Sequence, residues 1–135
     1  MGLVASKDLD EWAHVLLEGL GMPHELDAMF AATGGEAFRH VAAWDGDQMV
    51  GAATLFIDGK AGHLFGAATL PSHRGRGAQR ALIALRVQEA IAAGLDWIVA
   101  ETWQETRESP NSSLHNLRWA GFEELYVRPN WIWER

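Results

Sequence analysis

The sequence predicts one α/β domain of the α+β kind, a mixed and mostly antiparallel sheet flanked by helices, and three observations predict it. Asp-Gly pairs in "WDGDQ" and "IDGKA" punctuate β-type runs between residues 38 and 70, and Asp-Gly between such runs marks a hairpin turn. A stretch rich in Ala, Leu, Arg and Gln, Gly77 to Ala93, then leads to the apolar run "LDWIVAET"; a helix joining two strands makes them parallel neighbours. The 135 residues are 48% hydrophobic, enough for one packed core without disulfide or metal support.

The elements follow in chain order. Residues 8–19, "DLDEWAHVLLEG", place Leu9, Trp12, Ala13, Leu16 and Leu17 on one helical face, with Asp8 able to cap the start and Gly19 the end. A short second helix is expected from Glu25 to Ala32, after Pro23, and both helices are read as core packing. Three antiparallel strands are expected at 38–44, 48–56 and 61–70. The helix from Gly77 to Ala93 has Gly94 as its C-cap, and "LDWIVAET" follows as a buried strand. A helix over 111–120 is stopped by Gly121, and Phe122 to Trp133 read as a last strand. The order is αα-βββ-α-β-α-β, without repeats or linkers.

Composition narrows the function. The absence of cysteine excludes a thiolate nucleophile, a disulfide framework and Cys-ligated zinc, and favours a cytoplasmic location. "MGLVASKDLDEW" carries an acidic residue where a signal peptide has its apolar core, and no run approaches the ~20 residues that span a bilayer, so no membrane association is expected. A net charge of -7 argues against nucleic acid as a partner. Yet Arg74, Arg76, Arg80 and Arg86 gather in one loop and the helix after it. Local positive charge on an acidic chain suits a small anionic ligand.

That loop lies in "TLPSHRGRGAQRAL". A strand ending in a Gly-rich turn before a helix aims backbone N–H groups and the positive end of the helix dipole at one spot. Gly75 and Gly77 can take positive φ and leave room for a ligand, while Arg74 and Arg76 can add charge-assisted hydrogen bonds to phosphate oxygens. The run matches neither a P-loop, which needs Lys and Ser/Thr after its last Gly, nor the wider glycine spacing of a dinucleotide fold.

The run "ATLPSHRGRGAQRALIALR" resembles the acyl-CoA-binding motif of GNAT-superfamily N-acetyltransferases, an Arg/Gln-x-x-Gly-x-Gly/Ala loop after the family's fourth strand. "NSSLHNLRWAGF" is similar to the Asn-x-Ser-x-x-Asn-x-x-x-Ala-Gly-Phe segment that closes the other side of the cofactor in many of these enzymes. The resemblance covers nearly the whole chain and implies one GNAT-like domain over residues 1–135. Two departures stand out. Gln79 occupies the last Gly/Ala of the loop motif, and the family's first strand has no evident counterpart, so the chain looks N-terminally short, as a trimmed chain or one lobe of a larger protein would.

The resemblance implies acetyl-CoA as cofactor and an amine, small or peptide-borne, as acceptor. It implies that Ala67, Ala68, Thr69 and Leu70 hold the pantetheine arm through backbone groups where the fourth and fifth strands splay apart. Arg74, Gly75, Arg76, Gly77, Ala78 and Gln79 would cradle the pyrophosphate, with Asn111, Ser113 and Asn116 opposite. Direct acetyl transfer needs a base, a polarised carbonyl and a proton for the thiolate. Glu101, at the end of the fifth strand, is the favoured base, with Glu105 and His63 behind it; the alternative, that Glu101 is a solvated strand-end charge, stays open. Leu117 stands where many members carry a tyrosine acid, which leaves Tyr126, the only tyrosine, or water.

Of the seven tryptophans, Trp103 is placed near the acceptor, and Trp131 and Trp133 in the sheet or a homodimer contact. Glu101, Glu105 and Glu108 around Trp103 suggest a mouth that attracts a cationic or aromatic amine; a solvated loop is the alternative. Against the acetyltransferase reading stand a non-catalytic acyl-CoA-binding or regulatory domain and a plain interaction module in which "RGRG" only caps a helix.

Overall fold

The computed structural model describes residues 1–135, which divide into two compact units, Met1–Glu101 and Thr102–Arg135. In the first unit, β1 (Gly2–Leu3), α1 (Leu9–Leu20) and α2 (Asp27–Ala31) precede the hairpin strands β2 (Phe38–Asp45), β3 (Gln48–Asp58) and β4 (Ala61–Thr69). Then come α3 (Ala78–Ala92) and β5 (Trp97–Ala100); the second unit holds one helix, α4 (Ser112–Trp119). The sheet order is β1-β2-β3-β4-β5, antiparallel throughout except for the parallel pair β4–β5.

Side-chain alternation splits the core into two layers. Ala42, Met49, Ala52 and Ala68 pack with Trp12, Ala13, Val15 and Leu16 of α1, whereas Val41, Ala43, Val50 and Ala53 pack with Leu82 of α3. Neighbouring residues on one strand point to opposite faces, so α1 and α3 cover the two sides of the sheet. The strands facing both helices are nearly continuous small apolar runs because neither face is wet.

One ladder irregularity shapes the end of the sheet nearest the loop. Opposite Ala53 and Thr54, the partner shifts from Ala67 to Phe65, leaving Gly66 as an extra residue with φ +55°, a β-bulge of the glycine type. Arg86 of α3, almost fully buried, donates from Nη1 to the carbonyl of Thr54, on the strand opposite that bulge, at 3.2 Å and from Nε to the carbonyl of Leu82, one turn earlier in its own helix, at 3.1 Å. Burial pulls its guanidinium down to about 10, which keeps it charged near neutrality, and the carbonyls satisfy a charge that would otherwise be costly to bury.

Helix α1 comes unusually close to β4. A Cβ on Gly19 would lie 2.6 Å from the Ala68 Cβ and 3.2 Å from the Thr69 carbonyl oxygen. Gly19 therefore does not end the helix, as its position suggested; it lies inside, and Gly21, with φ +68°, terminates it.

Three further expectations are corrected. The first strand reported missing is present as Gly2–Leu3, paired with Ala42 and Val41; two residues carry no readable periodicity. Phe122 to Trp133 form no strand. Their β-type composition acts only through a partner ladder, and the second unit contains no strand to provide one. Trp131 and Trp133 are accordingly 91% and 80% exposed rather than packed in a sheet. The second helix is shorter than expected, a 3-10 turn at His24–Leu26 followed by α2.

Beneath α1, His40 is 7% exposed. Its Nε2 donates to the Thr33 carbonyl at 2.6 Å, which leaves Nδ1 to accept from the Thr54 hydroxyl at 3.0 Å, and the ring lies 4.1 Å from that of Trp12. Burial lowers the affinity of this imidazole for a second proton, outweighing the Thr33 carbonyl.

Two predictions follow from this packing. Gly→Ala inside an exposed helix stabilises by roughly 0.5–1 kcal/mol, but Gly19→Ala is predicted to destabilise by about 1–3 kcal/mol through overpacking against Ala68, read by urea denaturation; a stabilised variant would refute the close approach. For His40, the unfolded ring titrates near its ordinary 6.5 and the folded ring below it. The unfolded state thus binds more protons in that window, and stability falls as pH drops below about 6.5. His40→Gln should flatten this acid-side slope relative to the parent chain, and an unchanged slope would count against the assignment.

Candidate active site

The sequence Pro71–Gly77 folds as a 3-10 turn at Pro71–His73 followed by an irregular turn in which Gly75 and Gly77 have φ of +75° and +86°. A Cβ at either glycine would meet nothing within 4 Å. The turn is glycine-rich for its backbone, and the space beside it is open to a ligand. Helix α3 begins with no side-chain cap, and its first hydrogen bond is from the Ala81 amide to the Gly77 carbonyl. The amides of Ala78 and Gln79 lie ahead of that bond, where orphan N–H groups and the helix dipole favour an anion.

The pairing of β4 with β5 runs from Ala61–Trp97 to Leu64–Ala100 and stops there. Beyond it, β4 continues past the Gly66 bulge to Thr69 without β5 at its side. The Leu70 amide donates to the Val50 carbonyl, so antiparallel alternation turns the peptide groups of Ala67 and Thr69 away from β3. A strand edge is thereby left open to hydrogen-bond an extended ligand. At its head Thr69 Oγ1 is buried and has no hydrogen-bond partner in the chain.

The arginines of the loop have separate roles. Arg74 donates from Nη2 to the Gly19 carbonyl at 2.8 Å and from Nε to the Thr69 carbonyl at 3.3 Å. It clasps α1 to the end of β4 instead of facing the turn. Arg76 is exposed and pairs with Asp45 at 3.5 Å, and His73 Nε2 approaches the same carboxylate at 3.4 Å. These groups, with Ala43, Val50, Gly77 and Ala78, line a cavity of about 310 Å³ at the start of α3. Asp45 and His73 were missed in the sequence because Asp45 closes β2, far along the chain from the loop, and only the folded sheet brings the two together.

The other expected residues are placed as follows. Glu101 is exposed immediately after β5, and His63 sits within β4 opposite Val99. In the second unit Asn111 is the N-cap of α4, accepting from the Leu114 amide at 3.1 Å while its Nδ2 donates to Thr102 Oγ1 at 2.9 Å and to the Trp103 carbonyl at 2.6 Å. The cap engages its oxygen and the bonds to Thr102 and Trp103 engage its amide nitrogen. Glu105 accepts from the Asn111 amide at 2.8 Å and from His115 Nε2 at 2.6 Å, which holds its carboxyl below the usual range. That engagement suits a structural link better than a base. Ser113 is exposed and Asn116 half-buried on α4; Tyr126, Trp103 and Glu108 are exposed outside regular structure.

A mixed five-stranded sheet whose fourth and fifth strands part beside a Gly-rich turn and an uncapped helix defines an acyl-CoA transferase type of fold. The chain belongs to the Acetyltransferase (GNAT) family, whose profile matches residues 7–122. Among solved structures, the ribosomal-protein-S18-alanine N-acetyltransferase from Escherichia coli superposes with a TM-score of 0.81 at 20% identity, over 96% of this chain and 81% of that one. AAC(6')-Iy, solved with the bisubstrate analogue CoA-S-monomethyl-acetylneamine, gives 0.77 at 20% identity, over 98% and 95%. A transcriptional regulator from Bacillus halodurans gives 0.70 at 16% identity, over 97% of each chain. No curated protein matches the chain. At these identities the likeness establishes the fold, which hosts more than one function. No helix is long and apolar enough to cross a membrane.

The division of labour between the arginines is testable by stability alone. Arg74→Ala should lower the unfolding free energy by roughly 1–3 kcal/mol, the range for a pair of charge-assisted bonds, while Arg76→Ala, losing an exposed ion pair, should change it by less than about 1 kcal/mol. Equal effects in thermal and urea denaturation would remove the clasp.

Proposed function

We propose that the chain is an acetyl-CoA-dependent N-acetyltransferase acting on an amine by direct transfer. The observation that carries this reading is the open edge of β4 beyond Leu64 leading straight into the uncapped start of α3. An extended pantetheine amide and an anionic pyrophosphate need those two features in that order. The residues fit the group: Gly75 and Gly77 leave space for a phosphate, the Ala78 and Gln79 amides precede the first helical bond, and Thr69 Oγ1 is an orphaned buried hydroxyl at the end of β4.

The chain's own groups then divide the work. The Ala67 peptide groups and the Thr69 amide would hold the pantetheine arm, the Thr69 carbonyl being taken by Arg74, with Ala68 and Leu70 facing the strand's other side. The amides of the turn and the Arg76 guanidinium neutralise the pyrophosphate, Arg76 exchanging Asp45 for phosphate. Arg74 acts through the turn by fixing its first residue to α1. Acetyl-CoA supplies an activated thioester; the acceptor amine forms the C–N bond as the C–S bond breaks, and one proton leaves the nitrogen. Glu101 is assigned as the base, through water, because it follows directly on the end of β5. Tyr126 is assigned as the acid for the thiolate because it is the chain's one phenol. Ser113 and Asn116 are assigned to the cofactor by motif alone, and Asn111 to capping.

The family match over residues 7–122 spans both units and supports treating the chain as one functional domain. The acceptor is assigned as a cationic amine, since the net charge is -7 and carboxylates focus positive ligands. The neighbours named for S18 alanine and for an acetylneamine analogue are amine-directed proteins, which accords with this class. A regulatory acyl-CoA-binding role is the second reading, favoured by the Leu117 in place of a tyrosine and by the fold's occurrence in a transcriptional regulator.

Calorimetry with CoA and thiol release from acetyl-CoA across an amine panel separate the readings. CoA binding with turnover on cationic amines, weakening with salt, is the expected result; binding without turnover on any amine would support the regulatory role, and no binding would sink both. Arg76→Ala should weaken CoA by about 1.5–3 kcal/mol, and unchanged affinity would overturn the pyrophosphate assignment.

A further inference from the structure

Away from the loop, four titratable side chains meet where α1 passes to α2. His14 and Glu18 are one turn apart on α1, His24 lies in the connecting 3-10 turn, and Asp27 opens α2. His14 Nδ1 is 3.1 Å from Asp27 Oδ2, and His24 Nδ1 is 3.4 Å from Asp27 Oδ1. The two imidazoles are stacked, 4.2 Å apart and inclined by 16°. His24 Nε2 meets Glu18 Oε2 at 2.9 Å.

The arrangement around His24 is not self-consistent for a neutral ring. Both of its nitrogens face carboxylate oxygens, yet a neutral imidazole carries one N–H. If Nε2 gives its proton to Glu18, the Nδ1 lone pair faces Asp27, and a positive species must lie between them. A second proton is one such species and a metal ion is the other. Each ring faces its own oxygen of Asp27, His14 Nδ1 at 3.1 Å from Oδ2 and His24 Nδ1 at 3.4 Å from Oδ1, so a small tilt of the rings toward one carboxylate oxygen would bring both nitrogens to the roughly 3.3 Å edge of ligands bonded to zinc at about 2.0–2.1 Å. One donor atom from each of His14, His24 and Asp27 lies within 4.8 Å of the others. Glu18 then occupies the place of the carboxylate that orients a metal-binding histidine through its remote N–H.

We propose that His14, His24 and Asp27 form a site for a divalent transition metal of the zinc class, with Glu18 as the positioning carboxylate and water completing the shell. All four side chains are partly exposed, so the rings can tilt from their stack to bring both Nδ1 lone pairs onto one ion. Two carboxylates and two neutral imidazoles carry two negative charges, which a divalent ion neutralises. The imidazole donors select zinc, nickel or copper over magnesium and calcium. The ion would tie the C-terminal half of α1 to α2, and the same half of α1 carries Gly19, whose carbonyl Arg74 holds. The site is independent of the acetyltransferase reading.

The test uses tag-free, EDTA-stripped full-length chain titrated with ZnCl2 by calorimetry, with thermal unfolding in parallel. One equivalent of zinc should bind and raise the melting temperature, whereas MgCl2 should do neither. His14→Gln and His24→Gln should each weaken zinc at least about tenfold, and Glu18→Gln by about tenfold while leaving the stoichiometry at one. His115→Gln, at the unrelated Glu105 pair, should leave binding unchanged. Circular dichroism of the metal-free variants confirms that they fold. Absence of saturable zinc binding by the parent chain, or binding retained in His24→Gln, would overturn the proposal, as would loss in His115→Gln.

Discussion

One extra residue in β4 organises the functional end of this molecule. Gly66 shifts the ladder with β3 between Ala53 and Thr54, and pairing with β5 ends two residues earlier, at Leu64. A strand that bends at a bulge departs from its neighbour, and a strand edge in that position has peptide groups to offer. Were β4 straight and fully paired, its backbone would be saturated and the Gly-rich turn would follow a closed sheet. Glycine is at home at φ +55°, whereas an L side chain there would be strained.

The packing around the bulge keeps it in place from both faces. On one face, Leu16 lies in van der Waals contact with the position of a Gly66 Cβ, and Gly19 lets α1 descend onto Ala68. On the other, Arg86 reaches from α3 to the Thr54 carbonyl across from the irregularity. Arg74 then joins the C-terminal end of α1 to the last residue of β4. Backbone carbonyls accept from both arginines, so the positive charge concentrated in this region is partly structural. Arg76 instead pairs with a solvent-exposed carboxylate, Asp45, from which a phosphate can draw it.

The second unit shows a different balance. Asn111, Glu105 and His115 form a small network that starts α4 and orders the turn before it. These are residue types that would equally serve a ligand, and their geometry shows them closing helix termini and amides. Beyond Gly121 the chain carries Leu125, Val127, Trp131, Ile132 and Trp133 exposed. Strand-forming residues that belong to no ladder leave their apolar surface exposed.

Local signals in the sequence were sufficient for most elements: Asp-Gly turns set the hairpins β2–β3 and β3–β4, a glycine-bounded Ala/Leu/Arg run set α3, and the intervening helix set the parallel pair. The glycine turn before α3 was legible too, because positive φ and a helix start are properties of a few consecutive residues. What a residue does once placed was not legible. Arg74 and Arg76 look alike two positions apart, but one meets the Gly19 carbonyl across 55 residues and the other meets Asp45. Gly19 read as a helix end because only tertiary contact with Ala68 reveals a close approach. The strand expected at Phe122 to Trp133 failed, and the two-residue β1 went unseen, for the same cause: a strand exists through its partner, and the partner's position is decided by the fold and not by the segment itself.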